Sequence, residues 1–141
     1  MRLLIAVLAF AGIVVSALAL RVHYSTDTQP CSVNERWDCG IVNHSSFAEV
    51  GHVPVAAIGM AGYLGLGVLG WFRRRFVLLL AALAGLGFAL RLTFLEKYVL
   101  QVWCFYCVIS QAIIAAIVLL SLVWFSVEYV RLSRWARSTE V

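Results

Sequence analysis

The stretch Trp103-Cys104-Phe105-Tyr106-Cys107 stands directly before a long apolar run, Val108 to Val127. It places two cysteines, three residues apart, where an apolar helix would begin. The only other cysteines of the 141-residue chain are Cys31 and Cys39. The position of these two pairs relative to the apolar runs decides both the fold and the chemistry that we expect.

The composition is that of a membrane protein. Hydrophobic residues make up 63% of the chain and charged residues 13%, against about 25% charged residues in soluble proteins. A transmembrane helix needs roughly 20 apolar residues, and the apolar runs fall at about 3–22, 53–72, 76–95 and 104–127. They predict an all-α integral membrane protein, a bundle of four transmembrane helices that forms one membrane domain over residues 1–141.

The first apolar run admits two interpretations. Arg2 followed by apolar residues and Ala17-Leu18-Ala19 is similar to a secretory signal peptide with its cleavage site. However, the uncharged stretch from Leu3 to Leu20 exceeds the usual 7–15 residues of a signal-peptide core. We therefore expect a helix that is retained in the membrane.

The segment 23–52 is the main polar connection and carries Cys31 and Cys39. Near its end, Ser46-Phe47-Ala48-Glu49 has the spacing of a capping box, in which Ser and Glu satisfy free N–H groups at a helix start. This spacing predicts a short interfacial helix between the first two transmembrane helices.

Glycines recur in the second apolar run, at Gly59, Gly62 and Gly65. Small residues with this spacing lie along one side of a helix and allow close contact with a neighbouring helix in a membrane. We expect them to serve helix packing.

The arginines predict the orientation. Cytoplasmic connections of membrane proteins are rich in Lys and Arg, so the turn at Arg73-Arg74-Arg75 and the tail with Arg131, Arg134 and Arg137 are expected to be cytoplasmic. Because these clusters flank apolar runs, they indicate membrane orientation and no nucleic-acid binding. Both termini would then be cytoplasmic. All four cysteines would lie on the outer face of a plasma (inner) membrane, where disulfides persist in bacteria.

Cys104 and Cys107 have the spacing of a redox pair at a helix start. The free N–H groups and the positive dipole end of a helix favour a thiolate, which is the attacking species in disulfide exchange. No His follows Cys107, so the haem-attachment pattern is not met. The separation of Cys31 and Cys39 does not match the knuckles of structural zinc sites. We expect no metal, and purely structural disulfides remain the alternative.

A loop dithiol and a helix-start dithiol on one face predict an electron relay. Cys31 and Cys39 could exchange with a soluble partner and then with the second pair, which sits at the membrane edge and could reduce a quinone. Phe94 and Phe105 would fit a quinone pocket or, equally, an interfacial aromatic belt. Gln111 would contact a quinone carbonyl or form a helix–helix hydrogen bond.

These features together resemble the vitamin K epoxide reductase family in its bacterial form, over nearly the whole chain. The similarity consists of Cys31-x7-Cys39 after the first helix, Cys104-Phe105-Tyr106-Cys107 opening the fourth helix, and Ser45 six residues after the second loop cysteine.

The resemblance implies roles for these residues. Cys107 would lie nearest the quinone (ubiquinone or menaquinone), with Ser45 as a further contact. Cys39 would exchange with Cys104, and Cys31 would meet the partner. Bacterial members drive disulfide formation in exported proteins through a thioredoxin-like partner, which would here be a separate protein.

Alternative functions remain open. Vertebrate members reduce vitamin K epoxide and carry a Tyr where this chain has Gln111, which departs from the vertebrate pattern. The DsbB-type disulfide generator also has four helices, but its Cys-x-x-Cys pair lies in the first outer loop, the reverse of the order here. A membrane scaffold with static disulfides is the non-enzymatic alternative.

Overall fold

The structure is a computed structural model that describes residues 1–26 and 31–139. Within this part of the chain there are five α-helices: α1 (Arg2–Tyr24), α2 (Cys39–Asn43), α3 (Val55–Trp71), α4 (Arg75–Leu95) and α5 (Phe105–Thr139). The parts of the predicted outer loop and basic tail that fall at 27–30 and 140–141 lie outside the described residues.

The protein is mostly helical, with three to four apolar helices able to span a membrane. By length and composition, α1, α5 and the segment Arg75–Leu100 are long enough to cross, whereas α3 is a shorter apolar helix of 17 residues. At 1.5 Å per residue, α3 is about 26 Å long and α5 is about 52 Å long. Since the hydrocarbon core is about 30 Å thick, α5 extends several turns beyond it.

A hairpin precedes α3, and the predicted interfacial helix at this position is absent. Residues Ser46–Ala48 form a single 3-10 turn, and the strand Glu49–Val50 (β1) pairs antiparallel with Val53–Pro54 (β2). The connecting residues Gly51 and His52 have φ of 58° and 67°. Two successive positive φ angles are what a two-residue primed turn requires. Strand β2 takes up the first two residues of the apolar run 53–72, so α3 begins later than expected.

The capping box predicted at Ser46 is wrong. Neither Ser46 nor its neighbour Ser45 makes a side-chain cap on the 3-10 turn, and the Glu49 carboxylate lies 3.2 Å from the ring nitrogen Nε2 of His23. The short α-helix of this connection instead begins at Cys39, where Asp38 provides the cap.

Glycines bring α1 and α3 into close contact, but not all of the glycines that we expected. A Cβ on Gly12 would overlap the Tyr63 ring, and one on Gly59 would lie 3.0 Å from Ser16 Oγ. By contrast, a Cβ on Gly62 or Gly65 would have no atom within 4 Å. Close packing therefore explains Gly59, whereas Gly62 and Gly65 face open space.

The two ends of the bundle differ in character. At one end, the connection after α1 meets the connection between α4 and α5, and a buried cluster there contains Cys31, Cys39 and Cys104. At the other end, Arg75 forms an ion pair with Glu128 at 2.9 Å. The cysteines and the arginine turn thus lie at opposite ends, as the sequence predicts.

Glycine substitutions test this packing. Gly12→Ala is expected to lower the free energy of unfolding by about 1–3 kcal/mol, because the added methyl group overlaps a buried ring. Gly62→Ala makes the same chemical change where space is open and is expected to be neutral or stabilising. Denaturant titration of both variants in detergent micelles measures the difference. Equal effects of the two substitutions would contradict the helix packing described here.

Candidate active site

All four cysteines meet at one end of the bundle. Cys31 and Cys39 are joined by a disulfide, with their Cα atoms 5.6 Å apart, while Cys104 and Cys107 are free thiols. The Sγ atom of Cys104 lies 3.5 Å from the Sγ atom of Cys39. The two pairs predicted from the sequence are therefore in direct contact, through one sulfur of each pair.

Asp38 holds Cys39 in place by capping the short helix α2. Its carboxylate accepts hydrogen bonds from the backbone N–H groups of Gly40 at 2.8 Å and Ile41 at 3.3 Å. The Ser32 hydroxyl donates a third bond to the same oxygen at 2.7 Å. These bonds, that from Ser32 above all, hold the pKa of Asp38 below its ordinary value of 3.8, against a smaller opposing effect of burial.

Backbone hydrogen bonds dock the cysteine loop onto the start of α5. The Trp103 N–H donates to the Arg36 carbonyl at 2.8 Å, and the Asp38 N–H donates to the Trp103 carbonyl at 3.1 Å. The rings of Trp37 and Trp103 face each other with centroids 6.2 Å apart. Because Cys39 follows Asp38 and Cys104 follows Trp103, this pairing sets the distance between the two sulfurs.

The sulfur of Cys104 occupies the position of a helix-cap acceptor. The Cys104 carbonyl accepts the first helical bond of α5, from Val108 N–H at 3.1 Å. Its Sγ accepts the N–H of Cys107 at 3.3 Å and faces the Asn43 side-chain amide at 3.7 Å. Both donors point at a fully buried sulfur. They are suited to the negative charge that this atom carries when a disulfide opens.

Glu96 is a site residue that the sequence interpretation missed. It begins a π-helical turn, Glu96–Leu100, that continues α4. Its side chain is only 3% exposed. The carboxylate accepts the backbone N–H of Cys104 at 3.2 Å. An acidic residue within an apolar stretch is the signal that could have indicated it.

A cavity of about 520 Å³ lies between α1, α3, α4 and α5. Its walls are mainly apolar, and Cys107 lines it. The polar side chains that line it are few: Ser16, Asn43, Ser45, Tyr63, Thr93, Glu96, Tyr106 and Ser110. Gly62 and Gly65 also line this cavity, which explains the open space beside them. Apolar walls, a few fixed polar groups and this volume are typical of small-molecule sites.

Of the four residues predicted to contact a quinone, only Ser45 lines this cavity. Phe94 is exposed and packs on Tyr98 with ring centroids 4.6 Å apart, and Phe105 is exposed beside Trp37. The amide oxygen of Gln111 accepts a hydrogen bond from the Thr93 hydroxyl, which is the helix–helix bond foreseen as its alternative. Contacts of these three side chains with a quinone remain predictions that this arrangement does not favour.

Whether a side chain on α5 lines the cavity depends on the side of the helix from which it projects. Phe105 lies two positions from Cys107, so it projects from almost the opposite side of α5. Ser110 and Ile114, three and seven positions after Cys107, share its side and line the cavity. Tyr63 reaches the same place from α3, where its hydroxyl donates to the Ser110 carbonyl at 2.7 Å.

Comparison with protein families agrees with this site. A model of the vitamin K epoxide reductase family matches residues 3–122, most of the 141-residue chain. The chain belongs to the vitamin K epoxide reductase family. No individual curated protein matches it. The matched region contains all four cysteines, Glu96 and the four apolar helices up to the middle of α5.

Membership of the vitamin K epoxide reductase family carries a coarse functional conclusion. The family is membrane-bound and is associated with quinone-related redox chemistry, so this chain is a multi-pass membrane protein of an oxidoreductase family. The cavity fits a quinone ring, because its walls are mainly apolar and carry only a few polar side chains, Ser45 and Asn43 among them. In the described residues, no cluster of three His, Cys, Asp or Glu side chains could hold a metal ion.

The Asp38 cap predicts a specific acid sensitivity. The pKa of Asp38 is lower in the folded state than its ordinary value of 3.8, so the ionised carboxylate stabilises the folded protein above pH 3.8. This stabilisation is lost as the pH falls through the pKa of the folded state. We expect Asp38→Ala to reduce stability at neutral pH by about 1 kcal/mol. Asp38→Asn keeps a capping oxygen without titrating, so it should lose less stability on acidification than the native protein. Identical acid-unfolding curves for the native protein and Asp38→Asn would refute this role.

Proposed function

We propose that this protein is a membrane thiol:quinone oxidoreductase that drives disulfide formation in exported proteins. The observation that carries the proposal is the 3.5 Å distance between Cys39 Sγ and Cys104 Sγ, with Cys107 on the wall of an apolar cavity. One pair can exchange disulfides with the other, and the second pair borders a space that suits a lipid-soluble acceptor.

The proposed relay has two thiol–disulfide exchanges. A thioredoxin-like partner, a separate protein, first reduces the Cys31–Cys39 disulfide and becomes oxidised itself. The Cys39 thiolate then attacks Cys104 of an oxidised Cys104–Cys107 pair, which forms a Cys39–Cys104 bond and releases the Cys107 thiolate. Attack of Cys31 on Cys39 closes the loop disulfide again and leaves Cys104 and Cys107 reduced.

The described redox state fits this sequence of steps. A closed Cys31–Cys39 disulfide beside two free thiols, Cys104 and Cys107, is the state that the relay has after internal transfer and before the cavity acceptor is reduced. A quinone bound in the cavity, ubiquinone or menaquinone, would accept two electrons and two protons. Ser45 and Asn43 would orient it, and Cys107 is the sulfur that borders it.

Partner access requires the loop to move. Cys31 is only 2% exposed, so a partner thiolate cannot reach it while the loop is docked. The docking rests on two backbone hydrogen bonds to Trp103 and on the contact of the Trp37 and Trp103 rings. These few contacts would open more easily than the helix bundle beneath them.

We further propose the orientation and the location. Residues 1–141 form one domain of four transmembrane helices in the plasma (inner) membrane, with both termini cytoplasmic and the cysteines on the outer face. The support is that Arg73, Arg74 and the basic end of α5 lie at the end opposite the cysteines, as the distribution of Lys and Arg in membrane proteins requires.

The alternatives have less support. The vertebrate type of epoxide reduction uses a Tyr at the position of Gln111, and here that side chain is bonded to Thr93 instead. The DsbB-type generator would carry its Cys-x-x-Cys pair in the first outer loop. Static disulfides would not need free thiols 3.5 Å from a disulfide sulfur.

Complementation tests the activity. In a bacterium that lacks its own disulfide generator, the native protein is expected to restore disulfides in exported proteins, because its relay supplies the missing oxidant. Cys104→Ala and Cys107→Ala should each abolish this, whereas Ser126→Ala, a hydroxyl-to-methyl change far along α5, should not. The readout is the oxidised fraction of a secreted reporter after thiol trapping. Full restoration by the two cysteine variants would reject the proposed function.

A double variant tests the order of exchange. With Cys31→Ala and Cys107→Ala combined, only Cys39 and Cys104 remain, and their 3.5 Å contact predicts a stable crosslink between them on mild oxidation. Proteolysis and mass spectrometry would identify the linked peptides. The pair left by Cys31→Ala and Cys104→Ala is the control and should crosslink more slowly. Equal crosslinking in both variants would contradict Cys39–Cys104 exchange.

A further inference from the structure

Glu96 is an ionisable side chain buried among apolar residues at the cysteine end of the bundle. It is 3% exposed. Burial of a carboxylate is unfavourable unless other groups bond to it, yet Glu96 forms no ion pair with any described residue. The neighbouring Lys97 lies over the Tyr98 ring, 5.2 Å from its centroid. A buried acid without a cation partner calls for an explanation in the chemistry of its contacts.

The hydrogen bond that Glu96 accepts comes from the Cys104–Cys107 pair. The carboxylate oxygen Oε2 accepts the Cys104 backbone N–H at 3.2 Å. The Cys107 backbone N–H in turn donates to the Cys104 sulfur at 3.3 Å. Glu96 therefore bonds to the backbone of one cysteine and lines the same cavity as the other.

The backbone at this point is irregular. Residues Glu96–Leu100 form a π-helical turn, which ends at Gln101 with φ of 56°. A π turn widens a helix by one residue and is found frequently at functional sites. Here it begins at Glu96 itself, whose carboxylate accepts the Cys104 N–H, at the C-terminal end of α4.

The same carboxyl also lines the cavity. Glu96, Cys107 and Ser110 are all on its wall. Conversion of two thiols to a disulfide releases two protons and two electrons, and a quinone that accepts the electrons must also take up two protons. In an apolar cavity, an ionisable side chain on the same wall as the thiol is placed to carry protons from the thiol to a bound quinone.

We propose that Glu96 is the proton carrier of the quinone-reducing step. The inference rests on the proposed function. The carboxylate takes the proton from Cys107 Sγ as the S–H bond breaks, becomes neutral, and delivers this proton to a quinone oxygen. The Cys104 proton follows by the same carboxyl, whose oxygen lies 3.2 Å from the Cys104 backbone nitrogen. In sum, two thiols and one quinone become one disulfide and one quinol, and Glu96 ends as it began.

The first test measures the reaction itself. The full chain is purified in nanodiscs, its Cys104–Cys107 pair is reduced, and oxidation by a short-chain benzoquinone is followed in a single turnover. Glu96→Gln should slow this oxidation by about 100-fold or more, the usual contribution of a positioned acid or base. Glu35→Gln removes one exposed carboxylate from the same end of the protein and should leave the rate unchanged.

The second test needs no quinone and separates proton transfer from a structural role. In a Cys104→Ala background with the loop disulfide closed, Cys107 is the one free thiol, and its alkylation by iodoacetamide is timed at neutral pH. Glu96→Gln should speed alkylation, on the order of tenfold, because an amide N–H can stabilise the thiolate that a neighbouring carboxylate disfavours. A purely structural role would not give faster alkylation together with slower quinone reduction.

The outcomes are distinct. If the native protein does not reduce the quinone, the proposed function fails. If the native protein does reduce the quinone, two results would reject the role of Glu96. In one, Glu96→Gln reduces the quinone at the native rate. In the other, Glu96→Gln slows both quinone reduction and alkylation.

Should Glu96→Gln not accumulate, Glu96→Asp replaces it. Its shorter side chain should slow quinone oxidation at least about tenfold, while reduction of Cys31–Cys39 by a soluble dithiol stays at the native rate. A native quinone rate in this variant would overturn the proposal.

Discussion

The approach of Cys39 to Cys104 requires two segments that are distant in the sequence to meet at the rim of a helix bundle. A 3.5 Å sulfur contact tolerates little displacement, since disulfide exchange needs the attacking sulfur in line with the bond that breaks. The backbone pairing of residues 36–38 with Trp103 sets this distance. Asp38 contributes to this contact in two ways. Its N–H takes part in the backbone pairing with Trp103, and its carboxylate caps the helix that begins with Cys39.

The helix bundle below this contact is held together at two places. α1 packs closely on α3 at Gly12 and Gly59. At the end of the bundle away from the cysteines, Arg75 of α4 forms an ion pair with Glu128 of α5. Between these points the helices separate enough to leave the cavity beside Cys107. A membrane protein gains no hydrophobic energy by closing such a gap against lipid, so tight contact and open space can coexist along the same pair of helices.

The sequence was most informative where one physical requirement dominated. The four apolar runs predicted α1, α3, α4 and α5, because a helix must be long and apolar to cross a membrane. The spacing of the cysteines predicted two pairs, and the structure brings these pairs into contact. Local polar interactions were harder. The Ser46-x-x-Glu49 spacing is compatible with a capping box, but Glu49 bonds to His23, a partner 26 positions away that no local pattern could indicate. Glu96 was missed because its position depends on where the end of α4 meets Cys104. The quinone contacts of Phe94, Phe105 and Gln111 stay predictions, because the side of a helix that faces a quinone cannot be inferred from aromatic or amide character alone.

The burial of Cys31 has a consequence for selectivity. Both cysteines of the loop disulfide are almost fully buried, at 2% and 0% exposure. If the proposed relay operates on the outer face of the membrane, small thiols that diffuse there would not reach this disulfide by collision alone. Electrons would enter only when a protein large enough to displace the loop binds there. The shape of the partner, more than its redox potential, would then decide which thiols are oxidised.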